Sequence, residues 1–141
     1  MKALILSGLL LAMLSATGFG KIGDDDKQIA TVYGEPGKDL GSRGNVHQVG
    51  YMAGGFMIVV SFVNGVSQRE SFGKPDTSAL SPDDIKKILD FNAPEGTKWE
   101  EGSAQAGDKA WTRSDKKAIA LFPASGKFLS IQDANFVQPK E

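Results

Sequence analysis

The sequence predicts an α+β protein, with an antiparallel β-sheet and two short helices on one of its faces in a two-layer arrangement. Three observations predict it. Residues 56–63 are an apolar run followed by a more polar strand, which fits a period of two, around Asn64-Gly65, the strongest short hairpin signal, because both residues tolerate positive φ. "LSPDDI" at 80–85 is a complete helix start. The last third breaks into short β-prone runs separated by turn residues.

The chain opens "MKALILSGLLLAMLSATGFG", in which Lys2 precedes an apolar run and then small residues. That order is the layout of a secretory signal peptide over residues 1–20. The run is shorter than the roughly 20 apolar residues of a spanning helix. Small residues at 16, 18 and 20 allow cleavage after Gly18 or after Gly20. With no cysteine anywhere, neither a lipid anchor on an N-terminal Cys nor a disulfide is expected. The mature chain, 21–141, is expected to be soluble in the periplasm or outside the cell, without membrane insertion. At roughly 120 residues it can bury one core but not two.

Of 16 Lys and Arg, only Lys2 lies in the leader, which holds none of the 17 acids, so the mature net charge is −2. Such a chain lacks the basic field that holds a phosphate backbone, and nucleic acid is not an expected partner.

"DDDKQIATVYG" reads as a short helix with its acids at the positive end of the dipole. Ile29, Val32 and Tyr33 form its apolar stripe, and Gly34 stops it. "EPGKDLGSRGN" reads as a turn-rich loop, and "NVHQVGYM" as a strand that turns at 53–55. For the hairpin, a two-residue loop pairs Val63 with Val66. A three-residue loop pairs Phe62 with Val66 and gathers Phe56, Ile58, Val60, Phe62, Val66 and Phe72 on one face. The second register is preferred here, although it turns Gln68 and Glu70 toward that face.

After the linker "GKPDTSA", Ser81 is the N-cap of the second helix, with Pro82 at N1 and Asp84 at N3 reaching back to the cap. Leu80 and Ile85 form a staple, and Ile85, Ile88 and Leu89 a buried stripe. "TKWEE", "AWTRS", "KAIALF" and "KFLSIQD" then read as strands. "DDKQIATVYGEP" aligns without gaps on "DDIKKILDFNAP", which suggests an internal αβββ duplication over 24–73 and 81–133.

The pieces "IATVYGEPGK", "VVSFVNGV" and "LSPDDIKKIL…W…AWTRSDKKAIALF…KFLSI" together resemble the β-lactamase-inhibitor-protein-like and SmpA/OmlA-like group of small exported bacterial proteins. The resemblance implies helices against one face of an antiparallel sheet, and a binding role in enzyme inhibition or envelope assembly. This chain departs from the group in lacking both the lipidation Cys and the disulfide cysteines.

His47 is the only histidine, and no nucleophile-elbow pattern accompanies it. One imidazole without thiolates does not make a zinc site. Asp24-Asp25-Asp26 lacks the alternation of a calcium loop. Glu95, Glu100 and Glu101 with Asp83 or Asp84 could form a carboxylate couple only at a defined separation. "GSRGN" lacks phosphate-loop spacing. No metal, cofactor or catalytic residue is expected. Trp99 and Trp111, which serve as core residues or as anchors for a protein partner, are the leading binding candidates, followed by Tyr51. The expected function is non-enzymatic protein binding in the cell envelope. The alternatives are a small carboxylate-dependent hydrolase assisted by His47 and a structural envelope protein, and the oligomeric state is open.

Overall fold

The computed structural model describes residues 22–34 and 37–140. The leader over 1–20 and the Glu35-Pro36 step therefore lie outside the described residues. The chain is α+β and dominated by one eight-stranded antiparallel sheet. Helix α1 (Asp26–Tyr33) leads into β1 (Lys38–Arg43), β2 (Val46–Ala53), β3 (Phe56–Val63) and β4 (Val66–Gly73). Helix α2 (Pro82–Phe91) leads into β5 (Trp99–Gly102), β6 (Lys109–Arg113), β7 (Ala118–Phe122) and β8 (Phe128–Asp133). The strand order is β1-β2-β3-β4-β8-β7-β6-β5, so each half is a meander and the halves meet where β4 pairs with β8.

Both helices start as their sequences dictate. Asp25 caps α1, accepting from the Gln28 N–H at 2.8 Å while the Gln28 side chain accepts from the Asp25 N–H at 2.9 Å. Ser81 caps α2 in the same reciprocal way with Asp84. The Asp84 carboxyl is held below its usual pKa, first by the Ser81 N–H, with Lys74 Nζ 3.2 Å away contributing. Gly34 ends α1 with a positive φ that L side chains avoid.

Two elements differ from the sequence reading. The stretch read as a loop contains β1, a fully exposed edge strand with a bulge between Asp39 and Gly41. An edge strand with no buried side chain leaves no apolar alternation to read. Helix α1 is consequently followed by four strands, as α2 is. The hairpin also takes the other register: Val63 pairs with Val66, and Asn64 and Gly65 both adopt positive φ in a two-residue turn. A bulge then inserts Gln68 between the pairs Phe62–Ser67 and Ser61–Arg69. Ser67, not Val66, therefore joins Phe62 on the core side, and Phe72 returns opposite Ile58.

Through the pairings, Tyr51, Ile58, Phe72 and Leu129 share one sheet face with Val60, Glu70, Ile131 and Ala120. This inner face carries the core, which Ile29 and Tyr33 of α1 and Ile88 and Leu89 of α2 join. Phe72, Ile58, Ile88, Leu129 and Ile131 are all fully buried. Each such side chain contributes about 1.5–3 kcal/mol of transfer free energy.

Leu129→Ala, at the junction of the halves, is expected to cost about 2–5 kcal/mol in urea unfolding. Ser81→Ala should cost only about 1 kcal/mol.

Candidate functional site

The sequence candidates sit on or near the inner face. Tyr51 is buried, its ring 5.6 Å from that of Tyr33, so it offers a partner little surface. Trp99 and Trp111 are partly buried against the core. Trp99 Nε1 donates to the Leu89 carbonyl at 2.7 Å, which ties β5 to α2. Arg113, the cross-strand partner of Trp99, lies over its ring and donates to the Asn92 carbonyl at 3.1 Å. The tryptophans line a groove of about 390 Å³ beside α2, on the helix side of the sheet.

His47 Nε2 lies 2.9 Å from Asp39 Oδ1 across the β1–β2 edge. The Asp39 carboxyl is held below its usual pKa first by the Gly41 N–H and then by His47. Ser42 is the cross-strand partner of His47, but its hydroxyl makes no hydrogen bond to the ring, and β1 is exposed throughout. Glu100 and Glu101 pair with Thr112 and Trp111 and so project to opposite faces. Asp25 and Asp84 are engaged in helix caps. Among the described residues no three His, Cys, Asp or Glu side chains gather as a metal would require. No described helix is long and apolar enough to cross a membrane.

Glu70 is the functional-looking group that sequence reasoning passed over, noting only that its side chain turns inward. It is fully buried, and Tyr33 Oη donates to its Oε2 at 2.7 Å while Oε1 has no partner. Burial pushes its pKa up to about 8; the Tyr33 bond opposes this and the Asp24 charge adds to it. Through Tyr33 this buried carboxyl ties α1 to the sheet.

The opposite, open face has a different character. Met52, Met57 and Phe128 line one end, with Gly73 between Met57 and Phe128 in the cross-strand row. The Phe128 ring lies over Gly73, where an added Cβ would come within 2.7 Å of it. Leu40 lies over Gly50 in the same way. Leu40, Gly50, Met52, Met57 and Val59 line a hollow of about 450 Å³. The next row holds Val59, Ser71, Ser130 and Leu121, and the next Gln48, Ser61, Arg69 and Gln132. Residues 136–139 of the C-terminal segment share a polar groove of about 480 Å³ with β1, β2 and β3.

Glu70 sets a pH dependence. Its folded pKa of about 8 stands above the ordinary 4.5, so the folded state binds the extra proton. The stability this lends is complete below about pH 4.5 and declines until the folded pKa near 8 is passed. Urea unfolding of wild type should therefore lose a few kcal/mol across that window relative to Glu70→Gln, which should be the more stable protein at pH 9. No protein-family model, curated protein or solved structure matches this chain.

Proposed function

We propose that the chain is an exported, non-enzymatic protein-binding module of the bacterial cell envelope, inhibitor-like or assembly-factor-like, that docks its partner on the open sheet face. One observation carries the reading: large apolar side chains stand in solvent on that face. Met52 is 60% exposed, Leu40 45%, Phe128 39% and Leu121 37%. Single exposed apolar residues are ordinary, whereas a group on one regular surface marks an interaction site. The inner face offers no such surface, since the helices and their core occupy it.

Export rests on the leader pattern of residues 1–20. A two-layer fold is supported by the bonds from Tyr33 of α1 and from Leu89 and Asn92 of α2 to inner-face side chains. An internal duplication is supported by the recurrence of one helix and four strands in each half. The hydrolase reading has the His47–Asp39 pair in its favour, but a pair on an open strand edge lacks the water-excluded setting in which such groups gain catalytic strength.

Capture from cross-linked cells tests the docking face. The bait is the tagged protein, run beside Met52→Lys, Phe128→Lys and His47→Ala. The two lysine variants should fold as wild type and lose a stoichiometric partner by roughly tenfold or more, with His47→Ala unchanged. Undiminished capture by folded Phe128→Lys and Met52→Lys would refute the assignment. Trp99→Ala should instead lower stability by about 2–3 kcal/mol in urea unfolding, because it opens the packing between β5 and α2.

A further inference from the structure

On the strands of the open face, cations outnumber carboxylates. Lys38 and Arg43 lie on it at the β1 edge through their pairs Gly50 and Val46, and Arg69 lies at its centre opposite Ser61 and Gln132. The one carboxylate on its strands is Glu100, on β5 at the far edge. A chain of net charge −1 thus presents a basic surface where its apolar side chains are also exposed.

Arg69 is the unusual member. A guanidinium has five N–H donors. Here Nη2 donates to Ser130 Oγ at 3.0 Å, and that hydroxyl is shared with Ser71 Oγ at 2.9 Å. Nε is buried without an acceptor. Ion pairs join His47 to Asp39, Lys74 to Asp84, Lys86 to Asp90 and Arg113 to Asp115, and none of these includes Arg69. Burial alone lowers its pKa, with no carboxylate to raise it. A half-buried charge answered only by neutral hydroxyls costs stability that an apolar residue of similar length would not. Its bond to Ser130 helps join β4 to β8 but leaves Nε unanswered.

We propose that Arg69 is the anion-accepting centre of the docking face and receives an aspartate or glutamate side chain of the protein partner on the part of its guanidinium not bonded to the buried Ser130. This rests on the reading of that face as the docking surface and names the chemistry the partner brings. A single carboxylate suits the site better than a phosphate. Arg43 and Lys38 stand three strands away, roughly 14 Å at the usual strand spacing, so Arg69 supplies one positive charge alone. Val59 and Leu121 in the adjoining row supply apolar surface that helps exclude water from the ion pair, which strengthens it.

The test uses the whole protein with propionate as probe, a carboxylate on an apolar stub, against chloride at equal ionic strength. The Arg69 Nε–H resonance should shift saturably with propionate. That of Arg113, held by Asp115 at 2.9 Å, should not. Arg69→Met should raise the thermal midpoint in chloride and abolish the propionate-dependent rise, about 3 °C at concentrations a few times the dissociation constant. Absence of a saturable Arg69 shift, an equal shift at every arginine, or a stronger response to methylphosphonate would overturn the proposal. A lowered midpoint in Arg69→Met would also overturn it, by assigning the arginine to the fold. If Arg69→Met does not fold, the wild-type resonance decides alone. Loss of partner capture by Phe128→Lys with no propionate response would remove the carboxylate and leave the docking face standing. A propionate response with capture intact in both lysine variants would do the reverse.

Discussion

One extra residue in β4 determines which way half of this protein faces. A strand projects alternate side chains to opposite faces, so a slip of one residue exchanges the two sets. With Val63 paired to Val66 and no bulge, β4 would bring Phe72 opposite Met57 on the open face and turn Arg69 into the core. The bulge at Gln68 restores the alternation: Phe72 returns opposite Ile58, Glu70 opposite Val60, and Arg69 opposite Ser61. Because β4 also pairs with β8, the same residue sets Phe72 against Leu129 and Glu70 against Ile131. The second meander joins the first at that ladder, and its share of the core depends on that register.

Adjacent residues on β4 thereby carry the two buried side-chain atoms without a hydrogen-bond partner among the described residues, Arg69 Nε and Glu70 Oε1. Side by side in sequence, they point through opposite faces and cannot neutralise each other. Glu70 escapes the cost of a buried charge by holding its proton, and Tyr33 then uses the neutral acid to fix α1 on the sheet. Arg69 has no such escape, because a guanidinium does not deprotonate in a protein. Native structures leave few such groups unpaired, and those that remain call for a reason. For Glu70 the reason is internal; for Arg69 the bond to Ser130 leaves Nε unanswered.

The elements that were legible in the sequence are those whose signals are local. The capping box at Ser81 and Asp84, the Asn64-Gly65 turn and the four short strands after α2 lie where their residues indicate. The acids at 24–26 open a helix, as their position on its dipole requires. Strand β1 was not legible, because an exposed edge buries nothing and its polar residues resemble a loop. The bulge was hidden for another reason. The two-residue turn fits the apolar pattern only with an extra residue in β4, and no local signal marks Gln68 as that residue; its register is shared with β8, some 60 residues distant in the chain. Glu70 could be placed on the inner face from alternation, but its burial depends on α1 closing over it, a tertiary event.

The aromatic candidates show how a binding signal and a packing signal coincide in sequence. Trp99 offers the amphipathic ring that dominates hot spots, yet its N–H is spent on the Leu89 carbonyl and its ring face on Arg113. Methionine and phenylalanine on the open face carry no polar atom that could be satisfied internally, and Met52 and Phe128 keep much of their surface in solvent. A similar asymmetry applies at the sheet edges. The bulge at Leu40 and the positive φ of Gly41 interrupt the β1 ladder, which makes that edge a poor template for adding another strand. With the helices packed on the inner face and that edge interrupted, the open face is the regular surface left with exposed apolar side chains, Met52 and Phe128 among them.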